Sequence, residues 1–156
     1  MPNKQKTENF YYSYDIKNTH FVALNSEIIK DKVSPEYILK LTTWLDNDLK
    51  MTTKKFKIVY MHRPLYCSRT TEDKYCLSDA EAERKIYEEI FMNRKVDLVI
   101  TGHVHAYERM FPIYQNTVDT SSLSNDRNTY TNPKYPSYLV CGSTGLNGRY
   151  RTCIIN

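Results

Sequence analysis

The sequence lacks several features that would quickly assign it to a class of protein. No apolar run approaches the ~20 residues that a membrane-spanning helix requires. No two cysteines have the Cys-x-x-Cys spacing of a zinc ribbon. The net charge of +4 comes from lysines and arginines interleaved with acidic residues, so no nucleic-acid patch is indicated. These absences predict a soluble globular chain with no membrane or nucleic-acid partner.

The first residues of the chain also lack a targeting pattern. No hydrophobic segment follows the lysines at positions 4 and 6, as it would in a secretory signal peptide. No secretion address is therefore expected in the sequence as it stands. The length of 156 residues predicts one domain or a piece of one.

Cysteine is sparse, and only Cys67 and Cys76 lie close together among the four cysteines. They flank a polar loop. Two interpretations are open: a disulfide in an oxidising compartment, or two buried thiols. Local sequence alone does not separate them.

Local patterns predict alternating strands and helices. Runs 10–15 and 20–25 are rich in aromatic and β-branched residues, as in a hairpin of two strands. Ser34 and Pro35 then predict a helix start. Apolar residues follow at helical spacing on one face: Tyr37, Ile38, Leu41, Trp44, Leu45 and Leu49.

Two buried strands are predicted further on, at 57–62 and 96–101, each with β-branched residues. Between them, Ser78 to Glu81 has the pattern of a capping box. It predicts a helix starting there, with Ala82, Ile86, Ile90 and Phe91 on its inner face. A long polar loop is expected at 116–136, and one more strand at 138–141.

Three of the four histidines lie where these strands end: His62, His103 and His105. A single histidine at a strand end is usually structural, but the pair His103 and His105 makes a metal-binding role more favourable than a structural one. Residues i and i+2 of an extended segment point to the same side, and Gly102 permits a tight turn. Carboxyl ends of neighbouring strands form the usual site of an α/β protein, so these imidazoles predict a metal site.

The His-x-His pattern is weak on its own, because it also occurs in amidohydrolases and in the metallo-β-lactamase fold. The latter normally continues with Asp-His after the pair. Here Ala106 and Tyr107 follow, which argues against that fold.

Wider motifs resemble those of the purple acid phosphatases, within the calcineurin-like metallophosphoesterases, with the animal and protist type most similar. The matching segments, in the family's order, are Val59-Tyr60-Met61-His62, His62-Arg63-Pro64-Leu65-Tyr66-Cys67-Ser68, Asp97-Leu98-Val99, Gly102-His103-Val104-His105, Ala106-Tyr107-Glu108-Arg109, Tyr130-Thr131-Asn132-Pro133-Lys134 and Gly142-Ser143-Thr144-Gly145. They cover nearly the whole chain.

This resemblance implies an α/β fold, the C-terminal half of a metallophosphoesterase two-sheet sandwich flanked by helices. It implies hydrolysis of a phosphomonoester at acid pH by a dinuclear metal centre. His62 and His103 would bind the divalent metal (Zn, Fe or Mn), and His105 would bind Fe(III). Neutral imidazoles suit such metals.

Other residues receive less specific expectations from the same motifs. Tyr107 is expected to pack behind the ligands. Glu108 and Arg109 either hold the metal loop through hydrogen bonds or form a surface ion pair. Arg63 either meets the substrate phosphate or fixes loop backbone, and His20 is expected to be structural.

The family's earlier blocks are not in this sequence: Gly-Asp-x-Gly, Gly-Asp-x-x-Tyr and Gly-Asn-His-Glu or Asp. Residues 1–156 are therefore expected to be a partial domain whose partner is the N-terminal half. The remaining ligands and the catalytic histidine would lie in that half, and Thr71 and Glu72 stand where some members have substrate-facing histidines. The isolated chain is expected to be inactive. The alternative is a catalytically silent scaffold that binds a metal or a partner.

The family resemblance also implies a secreted, lysosomal or vacuolar protein. In such a compartment, a disulfide between Cys67 and Cys76 is expected.

Overall fold

The computed structural model describes residues 10–28, 30–68, 74–142 and 152–154. Its strands are β1 Tyr11–Ile16, β2 Thr19–Leu24, β3 Phe56–Tyr60, β4 Leu98–Thr101, β5 Tyr107–Arg109, β6 Ile113–Tyr114, β7 Thr117–Val118, β8 Ser137–Cys141 and β9 Thr152–Ile154. Its helices are α1 Pro35–Met51 and α2 Lys74–Asn93.

A seven-stranded sheet has the order β1-β2-β3-β4-β8-β5-β9. The four central strands β2, β3, β4 and β8 run parallel to one another. The edge strand β1 is antiparallel to β2, and β5 is antiparallel to β8. The carboxyl ends of β3 and β4 therefore meet at one edge of the sheet.

The predicted hairpin is present, with bounds shifted by one residue at each strand start or end. Lys17 and Asn18 form its two-residue turn, and Lys17 has a φ of 52°. The register pairs Ile16 with Thr19 and Tyr11 with Leu24. It places β1 on the outer edge of the sheet.

Helix α1 begins where the sequence indicates. The Ser34 side chain accepts a hydrogen bond from the Tyr37 backbone N–H, which caps the helix. Leu41, Leu45 and Leu49 are fully buried. The predicted apolar face is confirmed, since Tyr37, Ile38 and Trp44 also pack against the core.

Helix α2 begins at Lys74 rather than at Ser78, so the expected capping box lies inside the helix. The buried residues of this helix include Ala80, Glu83, Tyr87 and Phe91. Phe91 was expected there, but Ala82 is only half-buried and Glu83 faces the core. Ile86 and Ile90 pack against the core as expected, so the predicted inner face is confirmed except at Ala82.

One face of the sheet packs on the helices. Alternate residues of the central strands, Val22, Val59, Val99 and Val140, are fully buried in the core. A period of two sends the residues between them to the opposite face. There, large side chains are between 39% and 52% exposed: Tyr12, Tyr14, Ile16, Phe56 and Tyr107. We call this second surface the open face.

The expected long loop at 116–136 contains local structure. It holds the second strand of the β6-β7 hairpin and a 3-10 turn at Thr120–Ser122. The Asp119 carboxylate accepts hydrogen bonds from the backbone N–H groups of Ser121 and Lys134. The hydrogen bond from the Lys134 backbone N–H, together with hydrogen bonds from Ser121 and Ser122, lowers the pKa of Asp119 to about 2.

The α/β class expected from the sequence is confirmed: a mixed sheet carries helices on one face. Among the described residues, no helix is apolar enough over sufficient length to cross a bilayer.

Candidate metal centre

His62 and His103 come together at the carboxyl edge of the sheet. His62 lies two residues past the end of β3, and His103 two residues past the end of β4. The Nδ1 atom of His103 is 3.2 Å from the Nε2 atom of His62. Their ring planes are inclined by 75°, so the two nitrogens face each other without stacking.

This separation fits two ligands on one metal ion. Imidazole nitrogens bound to zinc at about 2.0–2.1 Å in tetrahedral geometry are roughly 3.3 Å apart. The observed 3.2 Å needs almost no adjustment. The donor set of two neutral imidazoles also suits zinc or iron.

The histidine loop is turned rather than extended. The Val104 N–H donates to the Gly102 carbonyl at 2.7 Å, and the Ala106 N–H donates to the Val104 carbonyl at 2.7 Å. These are two successive three-residue turns, centred on His103 and His105. The expectation of an extended pair of ligands is therefore wrong.

His105 is exposed. In the part of the chain that the structure describes, no three His, Cys, Asp or Glu residues form a group that could hold a metal ion. The structure thus brings His103 to His62, and it does not join His105 to them in a three-residue ligand group. The ligand role of His105 stays a prediction.

Gly142 allows this loop to pack against the end of β8. A Cβ atom at this position would lie 2.0 Å from the Val104 carbonyl oxygen, far inside van der Waals contact. The Gly142 N–H also donates to the Ala106 carbonyl at 3.1 Å. Glycine is required here by close approach of two backbones.

Arg63 lies beneath the histidine pair and is buried, with its side chain 7% exposed. Its Nε and Nη2 atoms donate to the two carboxylate oxygens of Glu27, each at 2.9 Å. Its Nη1 atom donates to Asp79, and its backbone N–H donates to Ser26 Oγ at 2.7 Å. These partners favour the loop-fixing interpretation of Arg63, and a contact with substrate stays a prediction.

The second ring nitrogen of His103 faces this charged group. His103 Nε2 is 3.4 Å from Arg63 Nη1 and 3.8 Å from Asp79 Oδ2. Burial lowers the pKa of His103, and the charges of Arg63 and His62 lower it further. A neutral ring is the form that binds metals.

Glu83 on α2 is fully buried next to the same group. Among the described residues, neither of its carboxylate oxygens has a hydrogen-bond partner. Burial raises the pKa of Glu83 to about 8, against the opposing effect of Arg63. This carboxyl is therefore largely protonated at neutral and acid pH.

Glu108 and Arg109 point to opposite faces of β5 and do not form the surface ion pair that was considered. Glu108 is fully buried, and its carboxylate accepts the Ser68 backbone N–H at 2.9 Å. It thereby holds the loop that follows His62. Arg109 donates to the carbonyls of Asn128 and Arg127, so it fixes the long loop.

Tyr107 is 45% exposed on the open face. Its expected packing role behind the ligands stays a prediction.

Cys67 is disulfide-bonded, which excludes the alternative of a buried thiol at this position. The side chain of Cys76 lies outside the described residues. The pairing of Cys67 with Cys76 therefore stays a prediction.

His20 has the structural surroundings that were expected. Its Nδ1 atom is 2.8 Å from Asp15 Oδ1, and its Nε2 atom is 2.8 Å from Asp48 Oδ2. Burial alone lowers the pKa of His20, but its hydrogen bonds to the carboxylates of Asp48 and Asp15 outweigh that effect and raise the pKa overall.

Sequence reasoning missed Glu27, Asp79 and the close approach at Gly142. Asp79 had no sequence signal for a contact with Arg63, because it lay within the predicted capping box and the two residues are 16 positions apart. Glu27 had none either, since its contact with Arg63 spans 36 residues.

Comparison with known proteins assigns the chain to a family. The chain belongs to the calcineurin-like phosphoesterase family, whose model matches residues 2–107. Within this family, it is similar to the purple acid phosphatases, which confirms the resemblance inferred from the motifs.

Acid phosphatase type 7 of Mus musculus is 30% identical over 150 residues, covering 88% of this chain and 34% of the mouse protein. Purple acid phosphatase 22 of Arabidopsis thaliana is 34% identical, covering 76% of this chain and 26% of the plant protein. A purple acid phosphatase structure from yellow lupin (Lupinus luteus) seeds superposes with a TM-score of 0.67 at 24% identity. It covers 92% of this chain and 24% of the lupin chain, and at that identity it shows the fold alone.

The chain thus spans about a third of the length of acid phosphatase type 7.

Proposed function

We propose that the protein hydrolyses phosphomonoesters at acid pH through a dinuclear metal centre, with His62, His103 and His105 among its ligands. One observation carries this proposal. His62 Nε2 and His103 Nδ1 face each other at 3.2 Å, the spacing of two donors on one ion. The names of the relatives, acid phosphatase and purple acid phosphatase, support the reaction class.

The proposed metals are Fe(III) at His105 and a divalent ion (Zn, Fe or Mn) at His62 and His103. Such ions polarise a phosphoryl oxygen and lower the pKa of bound water. The chain itself supplies neutral nitrogen ligands. The lowered pKa of His103 favours its unprotonated ring at acid pH, where an ordinary histidine would be protonated.

The proposed partner of this chain is the remainder of the same catalytic domain, packed on the open face. Tyr14 stacks on Phe21 at 5.3 Å between ring centroids, and Tyr60 donates to the Tyr12 hydroxyl at 3.1 Å. These contacts hold the aromatic rings of the open face in place against one another. A contiguous apolar surface of this kind marks an interaction site, and the curated relatives are about three times as long as this chain.

The second candidate function is a catalytically silent scaffold that binds a single metal or a partner. It draws on the finding that the described residues hold no group of three metal ligands. A two-histidine site would bind one ion weakly, since zinc sites with catalytic activity use three protein ligands.

The proposed location is a secreted, lysosomal or vacuolar compartment. The disulfide at Cys67 supports it, because such bonds persist in oxidising environments.

Turnover of a generic phosphomonoester by this chain joined to the proposed remainder of its catalytic domain tests the proposal, with metal content measured alongside. His62→Ala and His105→Ala are each expected to reduce turnover by more than about 100-fold, the scale reached by outer-shell partners alone. The control is Glu81→Ala, which removes an exposed carboxylate paired with Lys85. Metal binding without turnover in the wild type would favour the scaffold instead.

A further inference from the structure

The two ring nitrogens of His103 have different neighbours. Nδ1 faces the proposed metal position beside His62 Nε2. Nε2 faces two groups of opposite chemistry, Arg63 Nη1 at 3.4 Å and Asp79 Oδ2 at 3.8 Å. Which of these two groups bonds to Nε2 decides what Nδ1 can do.

A neutral imidazole carries one ring proton, whereas a guanidinium only donates and a carboxylate only accepts. If Arg63 donates to Nε2, the ring proton lies on Nδ1 and points at His62. That nitrogen then has no lone pair for a metal. If Nε2–H donates to Asp79 instead, the lone pair of Nδ1 points toward His62 and the metal position.

We propose that Asp79 is a positioning residue for His103, accepting its Nε2–H and thereby turning the Nδ1 lone pair to the metal. Arg63 is the alternative partner and holds the ring when no metal is bound. The two arrangements differ in the ring nitrogen that carries the proton and in the group to which Nε2 is hydrogen-bonded. This inference rests on the proposed function only in placing a metal beside His62 and His103.

The surroundings hold both partners in place. Glu27 binds the guanidinium of Arg63 through two hydrogen bonds of 2.9 Å, so Arg63 cannot turn away. Asp79 is carried by α2 and receives a hydrogen bond from Arg63. A carboxylate offers about four acceptor positions, so Asp79 can accept from His103 without losing Arg63.

The distance between Asp79 Oδ2 and His103 Nε2 must shorten when the metal binds. At 3.8 Å the contact is too long for a hydrogen bond, and a shift of about 1 Å would make one. Rotation about the side-chain bonds of Asp79 and His103 is sufficient for such a shift. A carboxylate that orients a metal-bound histidine typically changes metal affinity by about 10- to 100-fold.

The test combines nitrogen-15 NMR of the histidine rings with zinc titration, both on the purified full chain. Long-range proton–nitrogen spectra report which ring nitrogen carries the proton. We expect the His103 proton on Nδ1 without zinc and on Nε2 with zinc bound.

Three variants accompany the wild type. Asp79→Ala is expected to weaken zinc binding by about 10- to 100-fold. Asp79→Asn keeps an acceptor oxygen and is expected to restore most of that loss. Glu81→Ala, on the same helix but exposed and paired with Lys85, is expected to bind zinc like the wild type.

The outcomes separate this inference from the proposed function. If the wild type binds zinc through His103 but Asp79→Ala binds it equally tightly, the positioning role of Asp79 is overturned. If the wild type shows no zinc at His62 and His103, the metal centre and this inference both fail. If Asp79→Ala does not fold, zinc affinity in Asp79→Asn decides the matter: a neutral amide oxygen accepts less strongly than a carboxylate, so weaker binding than the wild type supports the role and equal binding overturns it.

Discussion

His20 and His62 lie at opposite ends of the parallel strands, and their surroundings differ in one decisive respect. His20 sits at the amino end of β2 with a carboxylate on each ring nitrogen, Asp15 on one side and Asp48 on the other. His62 and His103 lie at the carboxyl edge, with a nitrogen of each turned toward the other.

This difference separates a structural histidine from a ligand histidine more clearly than burial does. A ring whose two nitrogens both bind carboxylates has no lone pair for a metal and gains a raised pKa. A ring with one nitrogen facing another imidazole retains a metal-binding position. The same residue type thus stabilises one end of the sheet and can perform chemistry at the other.

The largest effect is expected on zinc binding, when a histidine at the carboxyl edge is removed. His103→Ala is expected to abolish zinc binding at the pair, a loss of more than about 100-fold, while changing the free energy of unfolding by less than about 1 kcal/mol. Isothermal titration of zinc and thermal unfolding of the full protein measure the two quantities. Retention of tight zinc binding would show that His103 is not a ligand.

The next effect concerns the amino end. His20→Ala is expected to lower the free energy of unfolding by roughly 1–3 kcal/mol at acid pH and to leave zinc binding unchanged. Because the pKa of His20 is raised in the folded state, its stabilisation is fully present below the unfolded pKa of about 6.5. It is lost as the pH rises through the folded pKa.

Unfolding of His20→Ala and wild type across this range checks that sign. Lys40→Ala, an exposed residue of α1, serves as the control. A difference that grows with pH would contradict the assigned role of the two carboxylates.

The smallest effect tests the buried carboxyl near the metal edge. The pKa of Glu83, raised by burial from 4.5 to about 8, means that its stabilisation is present at low pH. It is lost as the pH rises through about 8. Glu83→Gln is therefore expected to match the wild type near the unfolded pKa of 4.5.

At alkaline pH, Glu83→Gln is expected to unfold roughly 3–6 °C higher than the wild type, equivalent to about 1–2 kcal/mol. Thermal unfolding at both pH values measures this. Equal melting temperatures at alkaline pH would mean that Glu83 is ionised and has a partner.

Much of the fold and the histidine pair could be predicted from the sequence, because both depend on local signals. Ser34 caps α1 as its residue type and position indicate. His62 and His103 follow parallel strands, and parallel strands bring their carboxyl ends to one edge. Neither inference required knowledge of a distant contact.

The residues that support the pair could not be predicted in the same way. Glu27, Arg63 and Asp79 meet across 16 to 36 positions of the chain, and periodicity carries no information on such contacts. The burial of Glu83 could not be predicted either, because a charged residue in a helix usually faces water. The turned conformation at His103 is set by packing of Gly142 against Val104, which is again a distant contact.

The backbone at His103 has a consequence for how this sequence can change over generations. A φ of 62° at a histidine is a conformation that glycine adopts more readily, and such strain costs of order 1–3 kcal/mol. A histidine that persists there is kept against the preference of its own backbone. A lineage that no longer needed the metal would gain stability by replacing His103, so this position should be among the first to drift once selection on the site is relaxed.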